Sequence, residues 1–241
     1  MIRDQETLNQ LITLIDRFVK ERLIPRESEL AESGSLPEDI LQEMKSMGLF
    51  GLTIPEEYGG LGLTMEEEIE VAISLGKTSP AFRSIMGTNN GIGSAAIVFN
   101  GTEEQKKKYL PKYASGEWIS CFCLTEPEAG SDAAALKTTA VRDGDYYIIN
   151  GTKRYITNAK VANTFNVMAR TNPSIKGARG ISSFIVEKDF KGITLGSVDK
   201  KMGQAGSMTC DVIFEDCRVP AKNIVGAEGE GFITAMKVLD R

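Results

Sequence analysis

Apolar residues recur at three- and four-residue intervals through the first hundred positions. Leu8, Leu11, Ile12, Ile15, Phe18, Val19 and Leu23, with polar residues between them, predict one amphipathic helix over residues 4–24 that Pro25 ends. Ser35, followed by Leu36, Pro37 and Glu38, predicts a capped start for a second helix. Its stripe is Ile40, Leu41, Met44 and Met47, and Gly48 closes it. Thr64 with Glu67, and Thr102 with Gln105, fit the capping box, in which a hydroxyl and a carboxylate or amide satisfy the free amides of a helix start reciprocally. Ser79-Pro80 predicts a further helix start between these two.

Near Trp118 the repeat shortens to every second residue. Runs 118–124, 165–169, 182–186, 192–198 and 210–214 read as strands, and Asp143-Gly144 and Asn150-Gly151 read as hairpin turns. The expectation is a meandering antiparallel sheet of about six to eight strands closed into a small barrel. From Gly229 the helical period returns with Phe232, Ile233, Met236 and Leu239. The predicted fold class is therefore α+β and multi-domain. An all-helical domain occupies residues 1–117 and an antiparallel β-barrel domain 118–228, and the start of a C-terminal helix occupies 229–241. That last stripe has nothing left to cover it, so the sequence is expected to be an incomplete chain.

The 28 basic and 33 acidic residues leave a net charge of −5, which excludes the basic field that holds nucleic acid or anionic membrane. No apolar run approaches the roughly 18 residues of a membrane span, and the start MIRDQETLNQ is too polar for a secretory signal, so a cytoplasmic location is expected. Cys121, Cys123, Cys210 and Cys217 form no C-x-x-C pair and read as reduced, packed side chains. The complete lack of histidine removes the commonest general base and metal ligand, and no metal site is expected. Chemistry must come from carboxylates, hydroxyls, lysines or a borrowed cofactor.

Two stretches offer that chemistry. Gly91-Ile92-Gly93-Ser94-Ala95-Ala96 matches the dinucleotide pattern G-x-G-x-x-A, but no strand precedes it, and close packing between helices is the better account. In Cys123-Leu124-Thr125-Glu126-Pro127-Glu128-Ala129-Gly130-Ser131-Asp132 a strand runs into a loop with a free hydroxyl and a stiffening proline. Gly130 allows close backbone approach, and Ser131 or Asp132 is placed to cap a helix over AAALK whose amides suit a phosphate. Taken alone, an ordinary strand-turn-helix connection explains the same residues.

In combination the stretches say more. CLTEPEAGSDAAA resembles the first signature of the acyl-CoA dehydrogenase family, and GTKRYITNA resembles its second flavin segment. LTIPEEYGGLG (52–62), GTEEQKKKYLPKYASGE (101–117) and MGQAGSMTCDVIFEDCRVPAKNIVG (202–226) add matches in the family's order. The resemblance implies an FAD-dependent oxidoreductase that desaturates acyl-CoA thioesters and passes electrons to an electron-transferring flavoprotein, as a homotetramer. It places Phe122, Cys123, Leu124, Thr125, Gly130 and Ser131 on the flavin, with Thr125 near its polar edge and Ser131 also facing the CoA moiety. Tyr155, Ile156 and Thr157 lie against the other flavin edge, where relatives often carry tryptophan in place of Tyr155. Arg83 falls roughly where some relatives acting on dicarboxylic thioesters hold an arginine, although an exposed helix arginine is the better account of it. Asp240 resembles the start of a D-x-x-R substrate motif. The family's catalytic glutamate belongs to the C-terminal bundle, so no catalytic residue is expected here and the chain alone is expected to turn over little. Two alternatives are a non-catalytic acyl-CoA- or flavin-binding fragment and an acyl-CoA oxidase that uses oxygen.

Overall fold

The computed structural model describes residues 5–240; Asp4, the first position of the predicted opening helix, and Arg241, the last of the closing one, lie outside the described residues. The opening stripe folds as α1 (Gln5–Phe18), which continues through a π-turn at Val19–Leu23 and a tight turn at Ile24–Arg26 into α2 (Glu27–Ser33). Pro25 therefore redirects the chain and does not end it. Proline lacks only an amide that a first helical turn leaves unpaired, so it is tolerated at the start of the Ile24–Arg26 turn. Helix α3 (Glu38–Ser46) begins after Pro37 without a side-chain cap, so Ser35 does not serve that role.

Both capping boxes form. Thr64 and Glu67 open α4 (Met65–Leu75), and Thr102 and Gln105 open α7 (Glu103–Ala114). Helices α5 (Pro80–Thr88) and α6 (Ala95–Asn100) lie between them, joined by a kinked π-turn at Asn89–Gly93. The G-x-G-x-x-A stretch sits in this kink, preceded by a helix. A methyl on Gly93 would lie 2.9 Å from the Thr88 carbonyl and 3.1 Å from that of Ser120, so close packing is its function.

The strands are β1 (Ser120–Cys123), β2 (Thr139–Asp143), β3 (Tyr146–Thr157), β4 (Thr164–Arg170), β5 (Ile181–Glu187), β6 (Ile193–Leu195), β7 (Thr209–Pro220) and β8 (Ile224–Val225). They form one sheet in the order β6-β7-β3-β2-β4-β5-β8, with β1 also on β4. The expected antiparallel barrel is corrected on two points. The sheet is open, because its outermost strands β6 and β8 are only three and two residues long and no bond joins them. It is also mixed, since β1 runs parallel to β4 over four residues and β2 meets β4 in parallel at Thr139–Arg170. Parallel neighbours need long connections, and β1 is joined to β4 through the loop from Leu124 to Thr138, which carries the motif, and the whole β2–β3 hairpin.

Only one of the two hairpin signals is a turn. Asp143-Gly144 leads to the β2–β3 hairpin, with Gly144 at a φ of 58°. Asn150-Gly151 instead lies inside β3 as a bulge, because the twelve-residue β7 pairs across it. The Asn150 side chain accepts from the Asp216 amide at 2.7 Å, and Gly151 lies so close to Thr138 that a Cβ would approach its hydroxyl to 2.4 Å.

Three cores result. One fills the helical domain around Phe50, Phe82 and Met44. A second lies on one face of the sheet, around Tyr147, Phe165, Phe184 and Phe214 with all four cysteines. The third joins the sheet's other face to α6, α7 and the final helix, α8 (Gly231–Leu239). All four thiols are free and buried, and burial pushes that of Cys217 up to about 11. No helix among the described residues is long and apolar enough to cross a membrane. No group of three or more His, Cys, Asp or Glu side chains among them is placed to hold a metal.

Candidate functional site

A cleft of about 550 Å³ opens where the third core meets the sheet. One wall is the end of β1 and the loop after it, contributing Phe122, Leu124, Thr125, Gly130 and Ser131. The facing wall is the end of β3, with Tyr155, Ile156 and Thr157. Thr88 and Ile92 enter from the α5 kink, and Phe232, Met236 and Leu239 from α8. Two segments some thirty residues apart in sequence are thus brought together. The exception among the nine candidates is Cys123: alternation along β1 turns its side chain into the opposite core, while Phe122 faces the cleft side.

The walls differ in stiffness. Lys153 Nζ, fully buried, donates to Glu126 Oε1 at 2.7 Å and to the Leu124 carbonyl at 3.2 Å. Glu126 also accepts from the amides of Lys137 (2.6 Å) and Thr138 (3.0 Å). Burial works against the charge of Glu126, but Lys153 and the Lys137 amide outweigh it, so its carboxyl stays below the usual glutamate range. Lys153 is pulled below the usual lysine range by burial, against the opposing pull of Glu126. The Arg154 amide donates to the Thr125 carbonyl at 2.8 Å, which completes the tie between the walls.

Directly after this tie the strand register shifts, and Tyr155 adopts a left-handed backbone, φ 58°. Such a φ is strained for an aromatic residue. The ring stands 61% exposed at the cleft, with the Arg154 guanidinium over it at 5.2 Å and Asp211 3.6 Å from that guanidinium. The expected helix over AAALK shrinks to one turn, Ala133–Ala135, with no side-chain cap, so it offers no built phosphate site. The hydroxyls of Thr125, Ser131 and Thr157 have no hydrogen-bond partner among the described residues.

A second cleft, about 440 Å³, adjoins the first through Thr88, Ile92 and Leu239. Arg83 lines it with Glu68, Ser84 and Gln204. Arg83 is half-buried and not the exposed arginine expected of its helix, and it makes no ion pair among the described residues. Asp240 is exposed at the end of α8 and lines neither cleft. Sequence reasoning missed Lys153 as the partner of Glu126, and Thr88 and Ile92 as cleft residues, because nothing local marks contacts made across 27 or more positions. Phe232 and Met236 were visible as one helical stripe, but not the surface they cover.

Comparison with known proteins agrees with this geometry. Residues 5–117 match the acyl-CoA dehydrogenase N-terminal domain and residues 121–217 the acyl-CoA dehydrogenase middle domain. A short-chain specific acyl-CoA dehydrogenase of Clostridium acetobutylicum is 40% identical over 240 residues, which is all of this chain and 62% of that protein. Butyryl-CoA dehydrogenase from Megasphaera elsdenii superposes with a TM-score of 0.92 at 33% identity, over 100% of this chain and 63% of its own. An acyl-CoA dehydrogenase from Bacillus anthracis solved with FAD gives 0.89 at 36% identity, over 99% of this chain and 41% of its own. The chain thus spans about three-fifths of the length of the first two. With two consecutive domains matched in order and the fold shared end to end, the chain belongs to the acyl-CoA dehydrogenase family.

Proposed function

We propose that this chain supplies the helical and middle-domain walls of an FAD-dependent acyl-CoA dehydrogenase, and that the cleft between β1 and β3 takes the flavin ring. The observation that carries this reading is the convergence of Phe122–Ser131 and Tyr155–Thr157 on one slot. The residues fit the group. Phe122 and Leu124 offer an apolar face and Tyr155, next to Ile156, an aromatic one, while the free hydroxyls of Thr125, Ser131 and Thr157 match a ring with polar edges. A flavin held there would supply the hydride acceptor for the β-hydrogen of an acyl chain. The protein's part is to orient the ring, keep water from it and hold Thr157 towards the acceptor nitrogen.

Thr125 would hydrogen-bond the polar edge of the ring, and Ser131, exposed at the mouth, the CoA moiety. The backbone of Cys123, between two wall residues, makes its contribution to the flavin wall. No catalytic residue is assigned within the chain, because Glu126 is committed to Lys153. In the second cleft the unpaired Arg83 would take the distal carboxylate of a dicarboxylic acyl-CoA, and Asp240 would approach substrate from the end of α8. The acceptor is an electron-transferring flavoprotein, the complete enzyme is a homotetramer, and its place is the cytoplasm.

The test is a titration of the purified chain with FAD, followed by fluorescence quenching, and an acyl-CoA panel with a dye acceptor. Measurable, weak FAD binding with little turnover is expected; no quenching at any concentration refutes the reading. Within the complete enzyme, Arg83→Ala is expected to weaken a dicarboxylic acyl-CoA about tenfold and to leave a neutral acyl-CoA unchanged. Equal effects on both would remove Arg83 from the site.

A further inference from the structure

Lys153 presents a physical puzzle. Its ammonium is wholly buried in the sheet, and a buried ion pair seldom gives more stability than two well-packed apolar side chains would. Its return must be sought in geometry. The loop after β1 offers three consecutive acceptors: the carbonyls of Leu124 and Thr125 and the carboxylate of Glu126. Lys153 takes the first and third, and the Arg154 amide takes the second. The far side of Glu126 is fixed in turn by the Lys137 and Thr138 amides, where β2 begins. One residue beyond Arg154 lies the strained Tyr155. Two adjacent residues of β3 therefore hold three adjacent residues of the loop at the point where the cleft walls diverge.

We propose that Lys153 is a positioning residue: through Glu126 and the Leu124 carbonyl it fixes the spacing between the loop and the Tyr155 bulge, so that the slot for a flat ring exists before the ring arrives. This rests on the flavin reading above. A preformed slot spares the bound state the cost of ordering the loop, which is how a residue that touches no ligand raises affinity. Lysine suits the task because one flexible cationic head reaches a carbonyl and a carboxylate together.

Four forms of the purified protein decide it: wild type, Lys153→Met, Lys153→Met with Glu126→Gln, and Glu126→Asp. Each is examined free, by amide hydrogen exchange over residues 124–130 and 154–157, and by titration with FAD read as quenching and as resolution of the visible flavin bands. Lys153→Met leaves an unpaired buried carboxylate and is expected to melt lower. The double variant removes both charges and is expected to recover the melting temperature. A purely structural role predicts that it recovers everything else too. Positioning predicts that exchange at 124–130 and at the Arg154 amide stays fast, that the FAD Kd stays about tenfold or more above wild type, and that the flavin bands stay blurred.

Glu126→Asp keeps both charges but shortens the reach by one methylene, and is expected to show the same exchange and affinity defects in milder form; it decides the matter should the double variant fail to fold. Wild-type exchange protection, Kd and band shape in a folded double variant, or in Glu126→Asp, overturn the proposal. A wild type that binds no FAD sinks the flavin reading instead, and the exchange data on the free protein still decide whether Lys153 holds the loop.

Discussion

Gly231, the first residue of α8, provides a quantitative test of how the cleft is closed. It is buried against β5, and a Cβ built there would stand 2.2 Å from the carbonyl carbon of Ser182 and 2.4 Å from the amide nitrogen of Ser183. Both contacts are backbone within a paired strand, so neither can turn aside. Ordinary contact begins at 3.4 Å, so Gly231→Ala must displace the start of α8 or the strand by about 1.2 Å. The helix is also tethered by the Asn100 side chain, which donates to Thr234 at 2.7 Å, and by the Gly229 amide, which donates to Ser182 at 2.9 Å. A shift of that size breaks or strains both tethers and moves Phe232 and Met236 off the cleft floor. Overpacking of this kind costs about 2–3 kcal/mol, which for a domain of this size is about 4–12 °C in melting temperature. The assay is thermal unfolding followed by circular dichroism, with FAD titration on the folded variant; Kd is expected to rise together with the fall in melting temperature. Gly203→Ala, where a Cβ meets nothing within 4 Å, is the control and should match wild type in both. If Gly231→Ala also matches wild type, α8 does not seat on β5 as described and the cleft floor is assigned wrongly.

Other outcomes follow from the same contacts. Tyr155→Asn places a residue that tolerates the left-handed backbone where a tyrosine is strained, and little burial is lost because the ring is largely exposed. It should melt at or above wild type yet bind FAD more weakly, and a fall in both would show that the strain is not there. Glu126 titrates below its ordinary value in the fold, so its stabilising contribution is complete above that ordinary value and is lost as pH falls through the lower, folded one. Melting temperatures taken from neutral pH down to about pH 3 should therefore fall less steeply for the Lys153→Met, Glu126→Gln double variant than for wild type; parallel slopes would assign the acid sensitivity elsewhere.

What the sequence determined by itself were features whose causes are local. The two capping boxes formed because each joins residues three apart, and the Asp143-Gly144 turn because its backbone demand lies within the turn. The motif stretches 122–131 and 155–157 were singled out by their resemblance to the family's signatures, since residue types alone fit an ordinary strand-turn-helix connection and a strand aromatic equally well. The tertiary structure alone decided the rest. Asn150-Gly151 carries the same local signal as Asp143-Gly144, yet stays extended because β7 offers twelve residues of pairing that no turn could match. Closure into a barrel depends on how the outermost strands meet, and the periodicity of single strands holds no information on that. Parallel pairing of β1 with β4 joins residues 44 apart. The Lys153–Glu126 pair is equally nonlocal: a lysine on a strand reads as solvated until the fold buries it, and only the sheet that places its head 2.7 Å from a carboxylate makes that burial tolerable.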